Sequence, residues 1–188
     1  MSFAAPSASA NHFDNMFKTN NLNRDCQDSD AFSPRLCRTD NRTVGWHDQN
    51  SLPDDVRPDI REVLEASFEA TVLTVGRDET PQYTGLGETD IIYQQGPLVP
   101  GAAGVTWCDD AISDVLCDQQ YVLFDSNHPP KKLICHESGH TIGLTHGQDA
   151  APSVSNANND LGCLQAPFSE ITNDLLGSHN KVQINNVY

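Results

Sequence analysis

Positive charge is scarce in this 188-residue chain: 11 Lys and Arg stand against 26 Asp and Glu, giving a net charge of −15 at pH 7. That balance argues against nucleic acid and anionic membrane surfaces as partners, because both are gripped through clustered cations. No apolar run approaches the roughly 20 residues of a membrane span, so no transmembrane helix is expected. There is no internal repeat. None of the six cysteines forms a C-x-x-C pair, which argues against a cysteine-based zinc site or a thioredoxin-like motif. Methionine occurs only at Met1 and Met16. No acidic spacing matches an EF-hand loop. Asp109, Asp110 and Asp114 therefore read as a solvated acidic stretch first and as Ca2+ ligands only second.

What is present points outside the cell. Cys26, Cys37, Cys108, Cys117, Cys135 and Cys163 are an even set, as expected for disulfides in an oxidising compartment. Six cysteines allow fifteen pairings, and sequence does not choose among them. Pairing of neighbours is the expectation: Cys26 with Cys37, Cys108 with Cys117, Cys135 with Cys163. Residues 1–10, MSFAAPSASA, end like a signal-cleavage tail but lack its apolar core. Either the chain starts inside a signal region or export takes another route. A hydrophobic content of 37% suffices for one core, and a secreted monomer is expected. Residues 1–38 read as an extended or disordered segment, and 39–188 as the folded domain.

Local patterns give the elements. Strands are expected at 43–47, 71–75, 90–93, 105–108 and 120–124. Val56, Ile60, Val63, Leu64 and Phe68 recur at helical spacing within 53–70, with Ser51 placed to cap that helix. Pro129 and Pro130 open a second helix reaching about Ile142. A third helix is expected over 176–187, with Val182 and Ile184 among its apolar positions.

The second helix carries the chemistry. Residues 136–146 read His-Glu-Ser-Gly-His-Thr-Ile-Gly-Leu-Thr-His, which is HExxHxxGxxH. His136 and His140, four residues apart, share one helix face and can grip one metal ion. Gly143 permits the left-handed turn that ends the helix, so the chain can return with His146 as a third ligand. Three nitrogen ligands leave a position open, the catalytic arrangement for one Zn2+ ion. Glu137 stands beside the first ligand, where a carboxylate can act as general base on water. His12, His47 and His128 have no partners at ligand spacing and read as surface residues. Asn41-Arg42-Thr43 matches a glycosylation sequon.

This motif resembles the metzincin clan of zinc endopeptidases. The run Cys135 to His140, followed by Gly143-Leu144-Thr145-His146-Gly147, is similar to small secreted bacterial, snapalysin-like members. The ending from Leu176 to Tyr188 is similar to theirs as well. The resemblance covers about residues 40–188 and is specific only at the motif. It implies an α+β fold of the α/β/α zincin-like kind: a mixed twisted sheet packed on helices, a metal helix, a turn beneath the metal and a C-terminal helix. It makes 39–188 a catalytic domain acting on a protein or peptide substrate laid along an edge strand, for which Val105-Thr106-Trp107 is the candidate. The turn beneath the metal holds methionine in the clan, and Leu164 is the expected occupant here. Tyr188 and His179 are weaker candidates for a second electrophile, and Pro34-Arg35-Leu36-Cys37 is a faint match to the clan's cysteine switch. Two rival readings stand beside the endopeptidase: an inactive zinc-bearing binding protein, and a zinc hydrolase of cell-wall peptides.

Overall fold

The computed structural model of the chain describes residues 13–85 and 87–188. The signal-like stretch 1–10 and His12 lie outside the described residues. Among the described residues six strands form one mixed, mostly parallel sheet: β1 (Arg38–Thr39), β2 (Thr43–Asp48), β3 (Thr74–Arg77), β4 (Ile91–Gln95), β5 (Gly104–Ala111) and β6 (Leu116–Phe124). β3, β2, β4 and β6 run parallel in that order, and β1 pairs parallel with the start of β6. β5 alone is antiparallel, paired with β6 from Gly104↔Phe124 to Ala111↔Cys117. A strand has two edges, and β6 gives one to β4 and β1. β5 therefore takes the other and is an outer strand of the sheet. β5 and β6 are longer than expected because the acidic connection closes as a hairpin with a bulge near Asp110.

Among the described residues three α-helices accompany the sheet: α1 (Arg57–Ser67), α2 (Lys131–Thr141) and α3 (Ser178–Val187). α1 starts later than expected and is not capped by Ser51. Proline lacks an N–H and is tolerated only in a first turn, so Pro58 fixes where α1 begins. Ser51 instead accepts the Gln95 N–H. α1 buries Ile60, Val63 and Leu64, packing on α2 and β3. α2 is buried along nearly its whole length, against α1, β5 and the turn that follows it in space. Tyr93 from β4 points at α2 and hydrogen-bonds Ser138 at 2.6 Å, while its ring stacks with Phe124 of β6. In α3 the inward residues are Asn180, Gln183 and Ile184, and Val182 faces out. The polar pair is satisfied there: Asn180 donates to Leu161 O and Gln183 to Phe13 O.

Residues 13–37, with little regular structure, lie against the rest of the molecule. Phe13 and Met16 share the main core with Leu144, Leu161 and Ile184. Phe17 joins a smaller core with Cys26, Cys37, Cys108 and Cys117. The cysteines pair as neighbours: Cys26–Cys37, Cys108–Cys117 and Cys135–Cys163. No helix among the described residues is long and apolar enough to cross a membrane.

Candidate metal centre

Helical geometry places His136 and His140 one turn apart on α2. Gly143 then adopts φ +94°, and the chain reverses, so that Leu144 N–H bonds Gly139 O at 2.9 Å. The returning strand is clamped by the N-terminal segment. Met16 and Asp14 form antiparallel bridges to Leu144 and Ala151, and Thr145 N–H bonds Asn15 O at 2.8 Å. This clamp delivers His146 to the same point.

The three imidazoles converge through Nε2. His136 Nε2 lies 3.2 Å from His140 Nε2 and 3.1 Å from His146 Nε2. These contacts are not ordinary hydrogen bonds. His136 Nδ1 lies 2.7 Å from Cys163 O and His140 Nδ1 lies 2.8 Å from Leu144 O, so each Nδ1 carries the proton that the carbonyl requires. Both Nε2 atoms then present lone pairs to the same point, an arrangement that a cation resolves. Nitrogens about 2.0–2.1 Å from a tetrahedral ion stand roughly 3.3 Å apart, close to the spacing seen. The residues therefore fit a metal ion, and the group is one that can hold it. Burial pushes all three imidazoles toward the neutral, ligating form, His136 to about 4, with neighbouring imidazoles adding to the effect on His136 and His140.

Glu137 shares the cleft. The residue is 4% exposed, and burial raises its pKa to about 7 against the opposing hydrogen bond from Thr106. The Thr106 hydroxyl lies 2.8 Å from Glu137 Oε2 and 3.0 Å from Glu137 O. A Cβ at Gly104 would come within 2.6 Å of Glu137 Oε1, so glycine is what lets the edge strand approach the carboxylate. The cleft, about 370 Å³, is lined by the triad, Glu137, Gly104, Val105, Thr106 and Asp149, and by Leu22, Pro34 and Leu36 from the N-terminal segment.

Beneath α2 lies Leu164, in a 3₁₀ turn spanning Asn159–Leu164. A Cβ on Gly139 would fall 2.7 Å from Leu164 Cδ2, so leucine packs directly under the helix that carries His136 and His140. The adjoining Cys163 binds α2 twice, by its disulfide to Cys135 and by its carbonyl to His136.

Other candidates fall elsewhere. Tyr188 donates its hydroxyl to Ile142 O (2.9 Å) and Thr39 O (3.2 Å), a packing role. His179 lies against Phe13 and bonds Asn15. Cys37 is oxidised, so it offers no thiolate for a switch, although Pro34 and Leu36 beside it do reach the cleft. Asp114 pairs with Lys18 at 3.4 Å. Asp110 groups instead with Glu88 and Asp118, whose pKa values are raised, by burial first and neighbouring carboxylates next. No sequence pattern marks the Thr106 hydroxyl, Asp149 or Leu22 for the site, and Pro34 and Leu36 stand out only within the switch match. No protein-family model and no curated protein matches the chain.

Proposed function

We propose that this chain is a secreted zinc-dependent endopeptidase of the metzincin type, with the zincin-like arrangement of sheet and metal helix. One observation carries the reading: three imidazole nitrogens converge on a point in a cleft that also holds the buried carboxylate of Glu137. His136, His140 and His146 hold the ion, and an all-imidazole donor set favours zinc. The ion, when bound, supplies Lewis acidity, polarising the scissile carbonyl and acidifying a water molecule. Glu137 takes the proton of the attacking water and passes it to the leaving amine. Thr106 holds the Glu137 carboxylate in one orientation while it does so. β5 is an outer strand beside the metal point, so an extended peptide can add to it as a further strand. The three disulfides suit an extracellular setting.

The inactive binding protein is the weaker reading. A carboxylate buried beside the ligands and fixed by a hydroxyl has no use in a protein that only holds metal. The test is metal analysis together with hydrolysis of casein and quenched peptides. The proposal expects about one zinc per chain, activity abolished by a chelator and activity restored by zinc. A zinc-loaded chain that hydrolyses neither substrate contradicts it.

A further inference from the structure

We infer that the disulfide-closed loop Cys26–Cys37, with Leu22 before it, is one wall of the peptide-binding cleft. It selects short extended peptides that carry an apolar side chain beside the metal point. The inference rests on reading the cleft as a peptidase site.

The backbone of β5 sets the frame. Along a strand, successive residues turn their N–H and C=O groups to opposite edges. Ala103 O accepts from Asp125 N–H, on the β6 side, so Val105 and Trp107 also face β6. Gly104, Thr106 and Cys108 face away. The partner strand agrees, since Gln120 N–H bonds Asp90 O and Phe124 O accepts from Gly96, both on the β4 side of β6. At the outer edge, the Cys108 carbonyl is taken by Ser29 N–H at 2.9 Å. Asp28 takes the Ala111 N–H at 2.8 Å. The loop thus occupies the edge from Cys108 onward. Gly104 and Thr106 keep their outward backbone groups without partners among the described residues, and both line the cleft. A peptide strand added here pairs with Gly104 and Thr106 and meets the loop at the next pairing position.

The wall it meets is apolar and rigid. Leu22, Pro34 and Leu36 line the cleft. Leu22 and Leu36 pack on the small core of Phe17 and the Cys26–Cys37 and Cys108–Cys117 disulfides. Further bonds from Cys26 N–H to Asp114 O and from Arg38 N–H to Val115 O, each 2.9 Å, tie both ends of the loop to the β5–β6 hairpin. These three side chains offer no partner to a charged group, and burying one against them costs free energy that an aliphatic group avoids. A pre-organised wall also spares the ordering entropy that a flexible loop would lose on binding.

The experiment measures binding rather than turnover. A zinc-loaded Glu137→Gln chain is titrated with short labelled peptides in which one leucine is moved along a Gly/Ser frame, each with a glutamate counterpart. At the position facing the wall, leucine should bind about tenfold tighter than glutamate, the scale of discrimination in an apolar pocket. Leu22→Lys and Pro34→Lys, both at solvent-reached positions, should each erase or invert that preference with zinc content unchanged. An unaltered leucine-to-glutamate ratio in both variants overturns the inference. Preference with no hydrolysis by the Glu137 parent would retain the wall and remove the peptidase reading. Hydrolysis with no change of preference would do the reverse.

Discussion

At the residue scale, the buried carboxylate of Glu137 is held by the hydroxyl of Thr106. That hydroxyl reaches Glu137 from a different element, and Gly104 leaves the room for that approach. Thr106→Val keeps the shape and removes the bond. The expected result is a kcat about tenfold lower, the effect of roughly 1.4 kcal/mol, with KM changed less than about twofold and zinc content intact. Thr106→Ser should restore kcat. Steady-state kinetics on one quenched peptide read this, and an equal loss in both variants would point to packing instead. The triad and Glu137 were legible because helical periodicity and one glycine fix their placement within eleven consecutive positions. Thr106 lies 31 residues from Glu137, and its role depends on how β5 packs against α2, which no local pattern encodes. The carbonyls of Cys163 and Leu144 that orient His136 and His140 were illegible for a simpler reason: every residue has one.

At the scale of elements, α2 is stapled to the turn beneath it. Cys135–Cys163 closes a separation of 28 residues, and the carbonyl of Cys163 orients His136. Replacing both cysteines by alanine should destabilise the fold by roughly 3–4 kcal/mol on the loop-entropy account. It should also weaken zinc about tenfold or more, because the ligand's orienting partner is loosened. Thermal melts and a metal-competition titration measure the two effects. Unchanged zinc affinity would show that the staple serves stability alone. Most elements were readable from periodicity and proline placement, α2 nearly to its ends. β1 was not, since two residues carry no period. The role of residues 13–37 was hidden as well. They dock through isolated bridges and single buried side chains such as Phe13 and Asn15, which leave no repeating signal.

For the whole molecule, the acidic balance places some carboxylates where burial opposes their charge. Asp90 is the clearest. It is 4% exposed and accepts bonds from Gly45 N–H at 2.7 Å and the Thr39 hydroxyl at 2.9 Å. Burial raises its pKa from 3.8 to about 7, although those bonds pull the other way. The folded state therefore holds this proton more tightly than the unfolded chain does. The stability it contributes is complete below about pH 4 and is lost as pH rises through about 7, a span worth up to about 4 kcal/mol. Asp90→Asn cannot titrate. Across pH 4 to 8 its Tm should fall less than that of the parent, measured on metal-free protein so that metal binding does not enter. Parallel Tm profiles would remove Asp90 from the pH response. Composition alone had anticipated one acidic, disulfide-bearing chain with a modest core. It could not say that the N-terminal segment helps build the cleft.

The central claim is that Glu137 moves protons while the histidines hold the metal, and one substitution separates these roles. Glu137→Ala should keep about one zinc per chain and lose roughly 10² to 10⁴ in kcat on a quenched peptide, the usual cost of removing a general base. Near-normal turnover by a fully zinc-loaded Glu137→Ala chain would contradict the account.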